Sequence, residues 1–471
     1  MTHISTRTFI QGALTASLLF GAQASALPTD KLVIEAGRII TQAGDDIENG
    51  VIVIENGRIA AIGAADEVER PWDAKVIGGT DFVASPGFVE ALSSSGMDRP
   101  NENLDVTPFL DVRDSVDPVN FYFEDCKRWG ITTINIQQGN NTVVAGRGRI
   151  VKPYGMTVEE MTLRPAFGFK ISVAPKSGKS RATQLQTLRR TFADFKRELE
   201  GLAGDAKDDA AKGHREALSQ GREEEDSDAA GRAMTGDGWT VDGMELVNRD
   251  DIDSKELPLL DMVEGRAHTF IYCGAPMDVA PAIAFAKANG LAANATLVLD
   301  DTCWKAADVI AASGMSVILD SNLVSIETDP VTEVETETFV PGVFAAKGVP
   351  FALASANSST NSLWFQAALC VAHGMSREDA LASVTSSPAQ ILGMGKELGT
   401  LEVGKLANVL LMTGDPLDMT SFVDQMVVEG SVIYDSKTDV RNKHLFEGVA
   451  PRGAAAVETE EVEEPSKTDD K

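Results

Sequence analysis

The feature that most narrows the possible folds is a unit repeated through the middle of the chain: a helix-length stretch, a glycine, then a short apolar run. Residues 118–129 lead through Gly130 to 131–136, and residues 281–289 lead through Gly290 to 295–299. Residues 305–312 lead past Gly314 to 316–319, and 340–347 past Gly348 to 349–354. Glycine just beyond a helix takes a left-handed conformation that other residues avoid. A strand that is apolar at nearly every position must be covered on both faces. The repeat therefore predicts βα alternation around a covered parallel sheet. With no dinucleotide-type glycine fingerprint, an α/β fold of the (β/α)8 TIM-like barrel kind fits better than an open doubly wound sheet. The chain has 471 residues and is 43% apolar, enough for one large core and a smaller second one.

Both ends read differently. Residues 31–84 alternate as short strands, with Asn56-Gly57 marking a hairpin turn, and strand-like runs return at 407–412, 426–429 and 431–434. The two ends are expected to build one composite β domain from 27–84 and 397–440, around a barrel over 85–396. Residues 441–471 read as an extension with an acidic, disordered tail. Residues 203–240, which include Glu223-Glu224-Glu225-Asp226, read as an acidic flexible insertion.

Residues 1–26 have the layout of a secretory signal peptide: Arg7, an apolar run over 9–21, then small-residue cleavage patterns around Ala24 and Ala26. A periplasmic or extracellular location is therefore expected, with no membrane span after cleavage. A net charge of −29, from 71 acidic and 42 basic residues, excludes a nucleic-acid phosphate backbone as partner. Cys126, Cys273, Cys303 and Cys370 match no metal-binding spacing, and Cys273 and Cys303, in or beside core strands, read as buried thiols.

Several segments, in order, resemble the amidohydrolase superfamily, and within it the imidazolonepropionase-like secreted branch. Ser85-Pro86-Gly87-Phe88-Val89-Glu90 is similar to the entry into barrel strand one, and Gly130-Ile131-Thr132-Thr133 to the element that opens strand two. Ser387-Pro388-Ala389, Gly399-Thr400-Leu401-Glu402-Val403-Gly404-Lys405 and Gly414-Asp415-Pro416-Leu417 resemble the return from barrel to β domain. The resemblance implies zinc or another divalent metal at the barrel's C-terminal mouth, lowering the pKa of a bound water. It also implies a His-x-His on strand one, histidines on strands five and six, an aspartate on strand eight and, in some members, a carboxylated lysine or glutamate on strand four, the strand to which Lys170 belongs.

Carried onto this chain, those ligand positions fall on Leu92 and Ser94, on Tyr272, near Asp301, and on Ala356 or Asn357. None supplies the expected type, although Asp300 or Asp301 could still hold an ion. The chain's five histidines are His3, His214, His268, His373 and His444. His3 falls in the leader, His214 in the insertion and His444 beyond the last β segment. His373 reads as a helix end, and His268 as the N-terminal end of strand five. No arrangement of these builds a His-x-His, so no cofactor is expected.

The residues left at the mouth as weak catalytic candidates are Asp301, Lys170 and Glu90, with Ser94, Tyr272, Asp300 and Asn357 beside them. Cys273 should face outward if Tyr272 faces in, because neighbouring strand residues point oppositely. Gly146-Arg147-Gly148-Arg149 reads as a mouth loop whose arginines could take an anion. No G-x-S-x-G, HExxH or P-loop motif appears. The expected function is that of a non-catalytic amidohydrolase-fold protein, a binding or partner subunit in a homo-oligomer or beside an active amidohydrolase. The alternatives are a carbon–nitrogen hydrolase with an altered site using Asp301, and a scaffold whose acidic segments recruit a basic partner.

Overall fold

The computed structural model describes residues 31–221, 239–355 and 363–447. The expected leader and acidic tail lie outside these residues. The chain opens with strands β1 (Lys31–Ile39), β2 (Ile47–Glu55), β3 (Arg58–Ala64) and β4 (Lys75–Pro86), and β5 (Phe88–Ser93) follows across Gly87. Helix α1 (Phe121–Arg128) leads to β6 (Ile131–Ile136), and β7 (Val144–Arg147) and β8 (Arg149–Val151) meet at Gly148. After α2 (Val158–Met161) and β9 (Thr162–Arg164) comes β10 (Phe169–Ser172). The long α3 (Arg181–Ser219) and α4 (Leu257–Val263) then precede β11 (Thr269–Cys273).

Next come α5 (Pro276–Ala288), β12 (Ala295–Leu299), α6 (Ala307–Ser313) and β13 (Ser316–Leu319). A hairpin of β14 (Val324–Thr328) and β15 (Glu335–Phe339) leads to α7 (Val340–Ala346) and β16 (Phe351–Leu353). Helices α8 (Leu363–Ala372), α9 (Arg377–Ala382) and α10 (Ser386–Ile391) return the chain to β17 (Val409–Met412), β18 (Val423–Val428) and β19 (Ser431–Asp435). Helix α11 (Val440–Glu447) closes the described chain.

The first four and last three of these strands form a seven-stranded sheet, in the order β19-β18-β17-β4-β1-β2-β3. Pairing of β17 with β4 joins the two ends of the chain. Asn56 and Gly57 both have positive φ, as a two-residue hairpin between right-twisted strands requires. One face of the sheet packs a core of its own around Ile34, Ile52, Ile54 and Val409.

The remaining body is TIM-barrel-like α/β, built on a six-stranded sheet (β16-β13-β12-β11-β10-β7) and a four-stranded one (β5-β6-β8-β9). Strands β10, β11, β12, β13 and β16 run parallel. Their residues alternate between two cores. Phe270, Val298, Ile318 and Ala352 meet inside with Val89 and Leu92. Ile171, Ile271, Cys273, Leu297 and Val317 face the helices. This period-two division is what a sheet covered on both faces demands.

Two expectations are corrected here. The sheet is mixed: β7 runs antiparallel to β10, and β8 antiparallel to β6. No helix separates β6 from β7, so the chain turns back directly through residues 137–143. The glycine-rich stretch 146–149 is therefore strand, not a loop at the mouth, and Arg149 is committed to Asp111 at 3.2 Å. Glycine is needed there for close approach: a Cβ on Gly146 would lie 2.5 Å from the Leu110 carbonyl oxygen. The second correction concerns 203–240, whose first part is the end of α3. That helix is anchored by a stripe at helical spacing, Leu188, Phe192, Phe195, Leu199 and Ala203, and 204–219 continue it with no buried residue. Trp239 beyond it is buried against Phe192 and Phe195. Residues 222–238 lie outside the described residues.

The hydrogen-bonded ladders do not close between β16 and β5. A wedge takes their place. Val89 N donates to Val384 O at 2.8 Å, and Leu353 N to Ser383 O at 3.0 Å. Higher up, the Glu90 carboxylate accepts from Ser355 N at 3.0 Å and from the Ser355 hydroxyl.

Gly146→Ala should lower stability by roughly 1–3 kcal/mol, because the added methyl strikes a backbone carbonyl that cannot rotate away. A denaturant midpoint equal to that of the parent would contradict the close approach.

Candidate functional site

The barrel interior narrows toward the C-terminal ends of its strands, where the side chains of Leu92, Ser94, Lys170, Val298, Ile318, Asp320 and Ala354 converge with Asn140. Each arrives for a simple reason. Lys170 is the inward residue between Phe169 and Ile171, which face the helices. Asp320 is the first residue past β13, and Asn140 lies on the turn from β6 to β7. The space they leave is about 10 Å³.

Lys170 is 1% exposed. Its ammonium lies 5.9 Å from the centre of the Tyr272 ring, a cation–π geometry. Burial brings its pKa down to about 7, and the charge of Asp320 resists that fall. Glu90 is fully buried, and burial raises its pKa to about 7 against the hydrogen bonds from Ser355. The Tyr272 phenol is pushed up by burial and by the carboxylate of Asp300, toward which its hydroxyl points at 3.5 Å. Burial also raises Asp300, whose other oxygen accepts from Asp301 N at 3.1 Å.

The structure thus brings Ser94, Lys170 and Leu92 together, with Tyr272 beside them. Glu90 is turned instead into the seam with Ser355. Asp301 does not line the mouth: it opens a short turn and accepts from Thr302 N at 2.8 Å. Ala356 and Asn357 lie outside the described residues. Cys273 faces the helices, as the alternation requires. Asp320 and Asn140 escaped the sequence reading. Yet the rule that flags Asp300, the first residue past an apolar strand, also flags Asp320; only the resemblance drew attention to strand six and away from strand seven. Asn140 sits on a turn that replaces an expected helix and had no comparable signal. Its Oδ1 has no hydrogen-bond partner among the described residues.

The four histidines among the described residues stand apart from the mouth. His268 precedes β11 and bonds Thr296 Oγ1 at 3.0 Å, and His373 follows α8, stacked 4.3 Å from Phe339. His214 lies on α3 and His444 on α11. Among the described residues, no group of three or more His, Cys, Asp or Glu side chains converges as metal ligands would.

Lys170 gives a pH-dependent prediction. Its folded pKa of about 7 lies below the ordinary lysine value of about 10.4. Between those values the unfolded chain binds the extra proton, so Lys170 makes stability rise with pH over that window; below about 7 its cost is present in full. Lys170→Met should therefore be more stable than the parent at pH 6, by on the order of a few kcal/mol. The advantage should shrink toward pH 10. Paired thermal melts check this, and a difference independent of pH would contradict the buried, near-neutral amine.

The comparisons with known proteins agree on the fold. The amidohydrolase family model matches residues 196–439. An amidohydrolase from Thermotoga maritima MSB8 superposes with a TM-score of 0.63 at 20% identity, over 86% of this chain and 100% of that one. Two curated proteins match over short segments. One is amidohydrolase tasK of Hapsidospora irregularis, 33% identical over 72 residues, which are 15% of this chain and 7% of that protein. The other is a dihydroorotase of Anaeromyxobacter dehalogenans (strain 2CP-C), 40% identical over 62 residues, which are 13% of this chain and 14% of that protein. The matched family region covers more than half of the sequence and runs from α3 through the helices and strands of the barrel into the β domain. This chain belongs to the amidohydrolase family.

Proposed function

We propose that this chain is a non-catalytic member of the family that works by binding, as a homo-oligomer or as a partner subunit beside an active amidohydrolase. The observation that carries the reading is the filled mouth. A space of about 10 Å³ holds at most about one water molecule, whereas small-molecule sites usually enclose ≈300 Å³ or more.

The donors around that space do not fit the family's metal either. Zinc takes imidazole, thiolate or carboxylate lone pairs. Leu92 offers methyl groups, Ser94 a hydroxyl, Lys170 an amine and Tyr272 a phenol held protonated by its surroundings. Among the described residues Asp320 brings a carboxylate to that space and Asp300 another beside Tyr272, but no histidine or thiolate joins them in a ligand group, so no step of a mechanism is assigned to a bound metal. Export through the leader over 1–26 remains part of the proposal. Among the described residues, no helix is long and apolar enough to cross a membrane.

One observation favours the altered hydrolase as a second reading. Lys170, with a pKa near neutrality, stands close enough to Asp320 for the two charges to interact, and such a pair can move a proton at pH 7. Under that reading Lys170 and Asp320 take the acid–base role expected of Asp301.

Elemental analysis of the purified protein, alongside hydrolysis of a panel of cyclic and acyclic amides, decides between these readings. The expected outcome is sub-stoichiometric metal and no turnover above the blank. Stoichiometric zinc with turnover would overturn the proposal. Metal-free turnover abolished by Asp320→Asn would establish the second reading in its place.

A further inference from the structure

A second cavity lies at the other end of the barrel. It measures about 520 Å³ and opens at the N-terminal ends of β11, β12 and β13. We propose that this cavity is a binding site for a small, neutral, planar heteroaromatic molecule of about the size of a nucleobase. The proposal does not depend on whether the mouth is catalytic.

Shape, charge and hydrogen bonding each limit the ligand. One wall is aromatic: the rings of Phe167 and His268 stack at 6.0 Å with 13° between their planes, and His268 also packs on Phe270 at 4.7 Å. A flat ligand continues such a stack, and offset aromatic pairs are worth about 0.5–1.5 kcal/mol beyond the area they bury.

The charge at the site is balanced. Arg164 is the only ordinarily charged side chain in the lining. Its guanidinium is already bound to Glu397 at 3.1 Å and to the Gly393 carbonyl at 3.2 Å. Burial holds His268 down to about 4, so its imidazole is neutral at physiological pH. The Arg164–Glu397 pair leaves no net positive charge to favour an anion, and a cation would find no carboxylate in the lining.

The uncharged polar groups are three hydroxyls, the His268 imidazole and two amides, of which Asn294 donates to the Gly265 carbonyl. His268 Nε2, Thr296 Oγ1 and Ser316 Oγ form a chain with spacings of 3.0 and 2.9 Å. Gln390 and Ser387 stand across the cavity on α10. Such groups both donate and accept, which suits a ring with nitrogen and carbonyl edges. Ile391, Leu392 and Met315 supply the apolar remainder. A concave site of this volume with a few convergent polar groups and a residue of perturbed pKa has the usual makeup of a ligand pocket.

Adenine and nicotinamide are suitable probes, titrated into the full chain and followed by saturation-transfer NMR and calorimetry. At least one should bind saturably. Its affinity should fall at least tenfold in Ala293→Trp and in Gln390→Ala, both exposed on the cavity rim, and persist in Asn140→Ala at the mouth. Binding should also be constant between about pH 5.5 and 8, because neutral His268 does not titrate there. Failure of both probes to bind saturably would overturn the proposal. So would binding indifferent to Ala293→Trp and Gln390→Ala, or binding that strengthens as pH falls through 6.5.

Discussion

The barrel depends on how its first and last strands are joined. A parallel ladder between β5 and β16 would satisfy their edges directly, but the strands diverge. Ser383 and Val384 supply two carbonyls to the lower edges, and Glu90 caps the upper edge through Ser355. Buried strand edges left unpaired would each cost on the order of 1–3 kcal/mol, so this substitute pairing is required for the barrel to hold. It also explains why a carboxyl can stay in an apolar interior. Glu90 is retained by three hydrogen-bond contacts to one residue, and its raised pKa lets it carry a proton near neutrality instead of an unpaired charge.

The same geometry fixes what the mouth can contain. Period-two alternation sends Phe270, Val298, Ile318 and Ala352 inward with Lys170 and Tyr272, and the bulk of these side chains fills the top of the barrel. Lys170 lies against an aromatic face instead of in an ion pair. The fold thus keeps the framework of its family, and the side chains at the top of the barrel leave a space of about 10 Å³. A wider space, about 520 Å³, lies at the opposite end, where the strands begin and His268, Thr296 and Ser316 line up across neighbouring strands.

Much of this was legible in the sequence, for identifiable reasons. The apolar runs 295–299 and 316–319 became β12 and β13 because their neighbours Gly290 and Gly314 adopt positive φ and stop the preceding helical turns. Asn56-Gly57 became a hairpin because that pair tolerates the conformation it requires. The antiparallel return through β7 and β8 was not legible, since Gly146 and Gly148 mark both loops and close-packed strands, and only the neighbouring Leu110 and Gln137 distinguish the two. Helix α3 was hidden by its surface charge: the buried stripe ending at Leu199 and Ala203 is sparse beside the acidic residues around it. Asp320 was missed because a resemblance directs attention to inherited positions, whereas strand geometry places any residue past an apolar run at the mouth.

The claim at the centre of this account is that side chains, and not a metal and its water, occupy the top of the barrel. Crystals grown in excess zinc, with anomalous scattering measured at the zinc edge, test it directly. The account predicts no anomalous peak among Leu92, Ser94, Lys170, Tyr272 and Asp320, with the Lys170 amine against the Tyr272 ring. A fully occupied peak within coordination distance of Asp320 and Tyr272 would contradict it.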